Sequence, residues 1–212
     1  MNGSHQDLQR YAEPEARALL ETGLAERWQN VLVIPAYRES PEFLENLAAC
    51  TETLLILVLN RPDSDTDPRC NDALRAEVLA LPELRRVALA NARLLAHQQG
   101  NHLLVIERPQ PLPHDEGVGL ARKIGCDAAL TLGAMGCIAS RWIHGSDADA
   151  KIPSNYFDVA ADDDAAIALT YPYQHTYPSD ARERTAIKVY ERYLQHYVDG
   201  LRYAGSPYAF HT

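Results

Sequence analysis

Two carboxylates separated by a single residue, Asp147 and Asp149, are the side chains of this sequence best suited to chemistry. They follow residues 140–145, for which a short β-strand containing Trp142 and Ile143 is predicted. Both can turn towards one hard divalent cation, because Mg²⁺ and Mn²⁺ prefer oxygen ligands. Such a cation neutralises the charge that builds on a leaving diphosphate. The pair therefore predicts a site for Mn²⁺ or Mg²⁺ that also binds a phosphorylated ligand.

Acidic pairs are common in solvated loops, and the chain contains two further acidic clusters for comparison. Three aspartates lie within residues 63–67, in a loop after a predicted strand, where they could approach a ligand. Residues 162–164 are three consecutive aspartates and are typical of a solvated turn. Neither cluster is bracketed by hydrophobic residues as Asp147 and Asp149 are, so the context favours the latter pair.

The elements that must position these side chains are predicted from hydrophobic periodicity. Strands are predicted at residues 30–35, 53–60, 101–108, 140–145 and 165–173, and helices at 15–24, 40–50, 71–79, within 81–99, at 117–132 and at 180–202. Strands that alternate with helices predict an α/β domain with a mainly parallel sheet flanked by helices. We expect residues 1–28 to be a helical lead-in and residues 29–212 to form the domain.

Two details of these elements are also predictions. Pro35 is expected to end the first strand, because proline lacks the N–H that a sheet ladder uses. The last helix is amphipathic, and its apolar stripe is expected to face the core. The stripe consists of Ile187, Tyr190, Leu194, Tyr197 and Leu201.

Polar residues follow several of the predicted strands, at the points where each strand ends. Tyr37, Arg38 and Glu39 come after the first strand, and Asn60 closes the second. In open α/β sheets ligands bind past the carboxyl ends of the strands. We therefore expect these side chains to lie at one edge of the sheet with Asp147.

The composition excludes some classes of function. The formal net charge of −9 argues against nucleic-acid binding, which requires a basic surface. No apolar run approaches the roughly 20 residues of a membrane-spanning helix, and the first ten residues lack the apolar core of a signal peptide. We expect a cytoplasmic protein.

Three segments resemble a known family. Residues 33–40, Val-Ile-Pro-Ala-Tyr-Arg-Glu-Ser, resemble the opening strand and loop of family 2 glycosyltransferases, which have a GT-A type, Rossmann-like fold. Residues 117–126 are similar to the family's helix with Ala-Arg-Asn-x-Gly, and residues 142–153 resemble its strand and Asp-x-Asp motif. The motifs occur in the family's order, and the resemblance covers residues 29–173.

The resemblance implies roles for individual residues. The donor-nucleotide residues would be Pro35, Ala36, Tyr37, Glu39, Asn60, Arg122 and Asp147, and the metal ligands would be Asp149 and Asp147. Of these, Arg122 would approach the diphosphate, and Asp149 is the more direct metal ligand. The chain departs from the family at Arg38 and Lys123, where asparagine is usual, and at Asn60, where an aspartate pair usually reads the base.

The implied function is transfer of a sugar from a nucleoside-diphosphate sugar to an acceptor hydroxyl on a sugar, a lipid or a small molecule. The alternatives are a sugar nucleotidyltransferase, which would usually carry a glycine-rich basic loop after the first strand, and a non-catalytic nucleotide-binding relative. Inverting members of the family use a later acidic residue as general base, and no such motif follows Asp199. We expect the chain to be truncated at its C-terminus, and the catalytic base is left unassigned.

Two further groups of residues are candidates for a catalytic or an acceptor-binding role. Residues 114–116, His-Asp-Glu, are interpreted as a polar loop that caps the next helix rather than as a catalytic group. Tyr171, Tyr173, His175 and Tyr177 could stack on an acceptor sugar, although packing is the favoured interpretation. The sequence does not indicate an oligomeric state.

Overall fold

A computed structural model describes residues 8, 10–47, 50–87, 89–158, 166–207 and 209 of the chain. These residues belong to two units, Met1–Ala160 and Ala161–Thr212. The first unit contains a β-sheet with its helices. The second contains a segment without regular structure, 166–179, followed by one long helix.

A six-stranded mixed sheet forms the centre of the first unit. Its strands are β1 (Asn30–Ala36), β2 (Thr53–Leu59), β3 (Glu83–Arg85), β4 (Ala92–Ala96), β5 (His102–Glu107) and β6 (His144–Gly145). The strand order is β3-β4-β5-β2-β1-β6. Strand β1 runs parallel to β2 and β6, and β2 runs parallel to β5, whereas β4 is antiparallel to both β3 and β5. The predicted α/β class is confirmed, with a sheet that is mixed.

Helices precede, connect and follow these strands. They are α1 (Pro14–Leu19), α2 (Leu44–Leu47), α3 (Asp72–Leu79), α4 (Gly117–Ala134) and α5 (Ala181–Tyr203), with short 3₁₀ turns at Pro41–Phe43 and Gln98–Gly100. Ser40 accepts a hydrogen bond from the Glu42 N–H, and Asp180 accepts from the first-turn N–H groups of α5. Both caps satisfy donors that a helix start leaves unpaired. Residues 48 and 49, at the end of the second predicted helix, lie outside the described residues.

The contact between α4 and the sheet depends on Gly125. A Cβ atom at this position would lie 2.3 Å from Cγ1 of Val33 on β1 and 3.3 Å from Cγ2 of Val58 on β2. Glycine therefore lets the helix backbone approach the central strands. The same helix carries Arg122.

The N-terminal segment packs on α4 and is held by ion pairs. Lys123 Nζ lies 2.6 Å from a carboxylate oxygen of Asp127 and 3.2 Å from one of Glu13. Arg108, which follows β5, pairs with buried Glu15 of α1 at 2.5 Å. Lys123, one of the departures from the family motif, thus anchors the N-terminal segment.

The helix predicted within residues 81–99 was wrong. This region contains β3 and β4, and β4 forms five residue pairs with β5, from Ala92↔Ile106 to Ala96↔His102. Ala92, Leu94 and Leu95 are buried there. Pairing with β5 satisfies the backbone groups of these residues, and this tertiary contact overrides the helical propensity of an Ala- and Leu-rich stretch.

Two predicted strands also differ from the structure. Residues 166–173 form no strand, and residue 165 lies outside the described residues, as do the aspartates at 162–164. The strand predicted at 140–145 is reduced to His144–Gly145. Before it, the chain pairs with the residues just ahead of β1. An isolated bridge joins Trp28 and Ile138, the Trp28 N–H donates to the Cys137 carbonyl, and the N–H groups of residues 139 and 140 donate to the carbonyls of residues 28 and 29.

Pro35 lies within β1 and does not end it. The Val33 carbonyl accepts a hydrogen bond from the Ser146 N–H, so the backbone polar groups of Val33 point towards β6. Backbone direction alternates along a strand with a period of two residues, so the backbone nitrogen of Pro35 also points towards β6. Because β6 ends at Gly145, the missing N–H of Pro35 breaks no ladder bond there.

The apolar stripe of α5 was predicted to be core, and this was wrong. None of its five residues is buried, and Tyr190 and Tyr197 are 52% and 57% exposed. Val198 is the buried residue that the structure describes in this helix. The sequence periodicity identified an amphipathic helix correctly, but periodicity does not specify what covers the apolar side.

Candidate functional site

The candidate site is the edge of the sheet where β1, β2 and β6 end, which we call the strand-end edge. It comprises residues 37–39 after β1, 60–67 after β2 and 146–149 after β6. The parallel pairing of β1 with β6 and the 3.1 Å bond from the Ser146 N–H to the Val33 carbonyl bring the third segment beside the first. Ala148 is buried, while Asp147 and Asp149 on either side of it are exposed.

Arg122 and Asp147 meet at this edge. The guanidinium of Arg122, on the second turn of α4, donates a hydrogen bond to a carboxylate oxygen of Asp147 and forms an ion pair with it. Both side chains are about half exposed, at 47% and 59%. Residues from two separate sequence motifs, 25 positions apart, are therefore in direct contact.

Glu39 lies within electrostatic reach of both aspartates. Burial raises the pKa of its carboxyl group, and the negative charges of Asp149 and then Asp147 raise that pKa further. Glu39 is therefore close enough to Asp149 and Asp147 for its charge to interact with theirs. A cation bound near Asp147 and Asp149 would stabilise the charged form of Glu39.

The acids at the edge do not form a complete metal site by themselves. Among the described residues, no group of three or more His, Cys, Asp or Glu side chains is arranged to hold a metal ion. Mg²⁺ is commonly bound by one or two carboxylates together with substrate phosphates and water. The donor set of Asp147 and Asp149 fits that mode, in which a diphosphate completes the coordination.

Tyr37 and Arg38 are fixed to the loop after β2. The Tyr37 hydroxyl donates to a carboxylate oxygen of Asp65 at 2.7 Å, and Arg38 pairs with the same oxygen through Nε at 3.0 Å and a terminal nitrogen at 2.9 Å. The Arg38 guanidinium also lies 5.7 Å from the centre of the Tyr37 ring. The tyrosine expected to stack on a base is therefore oriented through both its hydroxyl group and its ring.

Asn60 occupies a buried position at the end of β2. It is 6% exposed, and its N–H donates to the Ala36 carbonyl at 3.1 Å. Its side-chain oxygen is buried and has no hydrogen-bond donor among the described residues. It is one of four buried side-chain nitrogen or oxygen atoms without a hydrogen-bond partner in the described part of the chain. An unpaired buried acceptor costs about 1–3 kcal/mol, so its presence at this edge requires an explanation.

Pro35 and Ala36 do not present their side chains for the implied role of binding the donor nucleotide. Both are buried within the sheet, so their side chains offer little surface to a nucleotide. Among the residues with an implied role, Tyr37, Glu39, Arg122, Asp147 and Asp149 are exposed or partly exposed.

Asn71 is a contributor to this edge that the sequence reading missed. Its side-chain oxygen accepts from the Arg38 N–H at 2.8 Å, and its side-chain nitrogen donates to the Asn60 carbonyl at 2.8 Å. The sequence places Asn71 at the start of α3, where a capping role is the usual interpretation. The one sequence feature that could have pointed to Asn71 is its position eleven residues after Asn60, another asparagine.

We expect Asp65 to make stability depend on pH at low pH. The hydrogen bond from the Tyr37 hydroxyl, followed by that from the Asp67 N–H, lowers the pKa of Asp65 to about 2, against about 3.9 in an unfolded chain. Because the folded-state pKa is depressed, the contribution is complete above about pH 4 and is lost as the pH falls towards about 2. Melting temperatures of the wild type and Asp65→Asn should therefore converge over that range. A gap that stays constant from pH 6 to about pH 2 would contradict the assignment.

The other candidate residues lie elsewhere or pair locally. The His114 N–H donates to Asp63 at 3.1 Å, which links the loop before α4 to the loop after β2. Tyr177 and His175, in the second unit, both bond Glu191 of α5, at 2.6 Å and 3.0 Å. These bonds give both residues a structural role within their own unit.

A separate cavity of about 410 Å³ does not coincide with the strand-end edge. It lies between the second half of α4, the start of β1 and the chain leading to β6. Its lining residues are Val31, Ala129, Leu130, Gly133, Ala134, Ile138, Ser140, Arg141, Trp142 and Ile143. None of the candidate donor or metal residues lines it.

Comparisons with known proteins return no match: no family model, no curated protein and no solved structure is similar to this chain. No helix in the described part of the chain combines the length and apolar composition that crossing a bilayer requires. The functional interpretation therefore depends on the residues and their geometry.

Proposed function

We propose that this protein is a metal-dependent glycosyltransferase that takes a sugar from a nucleoside-diphosphate sugar and transfers it to an acceptor hydroxyl. The observation that carries the proposal is the contact between Arg122 and Asp147 at the strand-end edge. Arg122, expected to bind phosphate, and Asp147, expected to bind the metal, come from different motifs and form an ion pair at the edge where α/β sheets bind ligands.

The mixed sheet is compatible with a GT-A type fold, and we propose that fold and membership of family 2 together with the function. Three features support this assignment: the central parallel strands β5-β2-β1-β6, the acidic segment directly after β6, and the helix α4 that carries Arg122 to the same edge. The antiparallel strands β3 and β4 lie on the far side of β5, away from the acids.

The ion pair between Arg122 and Asp147 suggests how the residues act on a donor. A diphosphate offers the guanidinium a bidentate partner of higher charge, so Arg122 would exchange Asp147 for phosphate oxygens. The released Asp147 carboxylate and Asp149 would then hold Mn²⁺ or Mg²⁺. That cation, when bound, neutralises charge on the departing diphosphate. Arg122 contributes to the same stabilisation from the helix side.

The nucleoside end of the donor would lie between the segments after β1 and β2. The Tyr37 ring supplies an aromatic face for the base, and Asn60 supplies an amide at the end of β2. Glu39 is partly buried and interacts electrostatically with Asp149, and its carboxylate would accept hydrogen bonds from the ribose hydroxyls. The residue that deprotonates the acceptor is not assigned.

A calorimetric panel tests the proposal against its alternatives. We expect UDP or GDP to bind in the presence of Mn²⁺, and the cognate sugar nucleotide to release that diphosphate when an acceptor is supplied. Formation of pyrophosphate from a nucleoside triphosphate and a sugar 1-phosphate would instead identify a nucleotidyltransferase. Diphosphate binding without turnover over a broad acceptor panel would favour a non-catalytic relative. If no nucleotide binds at millimolar concentration, the proposal is wrong.

A further inference from the structure

The side chain of Asn71 connects the backbones of two different strand-end segments. Its oxygen accepts from the Arg38 N–H, 33 residues away, and its nitrogen donates to the Asn60 carbonyl, 11 residues away, both at 2.8 Å. Asn71 lies at the start of α3 yet makes no capping hydrogen bond to that helix. Its amide is therefore used to join the ends of β1 and β2.

The first of these contacts holds an unusual backbone conformation. Arg38 has φ of 57°, one of three described non-glycine residues with positive φ. The left-handed region costs a residue with a side chain roughly 1 kcal/mol or more, so the surrounding contacts must maintain it. Because Arg38 lies between Tyr37 and Glu39, this conformation sets the direction in which both neighbours project.

The second contact completes the fixation of Asn60. Its N–H is bonded to the Ala36 carbonyl at 3.1 Å, and its own carbonyl accepts from Asn71. With both backbone groups engaged, the side-chain oxygen is the part of Asn60 that lacks a donor among the described residues. The bond from Asn71 therefore helps to fix the backbone from which that unsatisfied oxygen projects.

Asp65 forms a second link between the same two segments. It accepts from the Tyr37 hydroxyl at 2.7 Å and from Arg38 Nε at 3.0 Å. One link thus holds the side chains of the segment after β1, and the other holds its backbone. The two segments behave as one surface whose shape depends on Asn71 and Asp65.

We propose that Asn71 is a positioning residue for the nucleoside end of the donor: it holds Tyr37, Glu39 and Asn60 in the arrangement that receives the base and ribose. This inference rests on the proposed function, since it assumes that a nucleotide binds at the strand-end edge. Asn71 touches neither the metal ligands nor Arg122 in the described contacts, so its effect is restricted to the nucleoside end.

The test compares a ligand that carries a nucleoside with one that does not. UDP and inorganic pyrophosphate, each with Mg²⁺, are titrated into wild type, Asn71→Ala and Asn91→Ala. GDP replaces UDP if the wild type prefers it. Asn91 is the matched control, because its side-chain nitrogen donates to a strand-end carbonyl, that of Glu107, at 2.6 Å. Amide exchange of Arg38 is measured in the same three proteins as a readout that needs no ligand.

We expect Asn71→Ala to weaken nucleotide binding about tenfold, the worth of one or two hydrogen bonds, and to leave pyrophosphate binding unchanged. Asn91→Ala should change neither. Arg38 should exchange faster in Asn71→Ala alone. An equal loss in both variants, or an equal loss for both ligands, would mean a general structural effect and would overturn the inference.

The binding results differ if the proposed function itself is wrong. If the wild type binds neither ligand, no donor site exists at this edge and the positioning role falls with it. Arg38 exchange would then still report whether Asn71 holds the segment after β1. If the wild type binds nucleotide and Asn71→Ala binds it equally well, the donor site stands and the positioning role is wrong.

Discussion

Replacing Gly125 with alanine should lower the free energy of unfolding by about 3 kcal/mol, although alanine is the better helix former. The added Cβ would lie 2.3 Å from Cγ1 of Val33, and 3.3 Å from Cγ2 of Val58, at the contact between α4 and the central strands. Both valines are buried in β-strands, so neither can move aside without disturbing the core. Urea denaturation followed by circular dichroism measures the change.

Gly133 is the matched control for this substitution, because it lies on the same helix and a Cβ there meets nothing within 4 Å. Gly133→Ala should be neutral or stabilising by up to about 1 kcal/mol. If Gly125→Ala is as stable as Gly133→Ala, then α4 does not pack on β1 and β2 as described. Since α4 carries Arg122, that result would also remove the support for the contact with Asp147.

Replacing Arg108 with methionine should destabilise the protein by about 3 kcal/mol. Its partner Glu15 has a side chain only 7% exposed, at a distance of 2.5 Å. Without Arg108 this carboxylate is left buried without a countercharge, and its second oxygen already has no hydrogen-bond partner among the described residues. The double variant with Glu15→Gln should recover part of the loss, because it removes the stranded charge.

Arg75 provides the control for the second prediction. It pairs with Glu107 at 2.6 Å, but its side chain is 51% exposed, so water screens the interaction. Arg75→Met should therefore cost less than about 1 kcal/mol. Equal effects of the two arginine substitutions in thermal melts would show that the pair of Arg108 and Glu15 is not buried in solution.

The elements that the sequence predicted well are those whose pattern is local. The strands Asn30–Ala36 and Thr53–Leu59 are apolar on both faces, as central parallel strands must be. Helix α5 (Ala181–Tyr203) agrees within one residue at each end with the helix predicted at 180–202. In each case the residues that decide the structure lie within the element itself.

The prediction errors arise where pairing with a segment distant in the sequence determines the secondary structure. Residues 92–96 have helix-forming composition and become a strand because β5 offers an antiparallel edge. The strand before Asp147 is shorter than predicted because the chain departs from β1 between Ser140 and His144. Such pairings depend on tertiary contacts that periodicity along one segment cannot encode.

In the candidate site, too, local motifs were predictive and contacts between distant loops were not. The motif positions indicated that Arg122 and Asp147 approach the same ligand, and the structure places them in contact. The bridging roles of Asn71 and Asp65 were not predicted, because they come from hydrogen bonds to Arg38, Asn60 and Tyr37 across loops. A side chain that bridges two loops leaves no spacing pattern in the sequence.

The central claim, that Asp149 and Asp147 hold a metal together with a donor diphosphate, is tested most directly by calorimetric titration of UDP and GDP with and without Mn²⁺. The titration is made in wild type, Asp149→Ala and Glu77→Ala. Glu77 is an exposed acid on α3 and controls for the loss of one negative charge. We predict that Mn²⁺ strengthens diphosphate binding at least tenfold in wild type and Glu77→Ala, and that this gain disappears in Asp149→Ala. Equal Mn²⁺ dependence in all three proteins, or no binding in the wild type, would contradict the account.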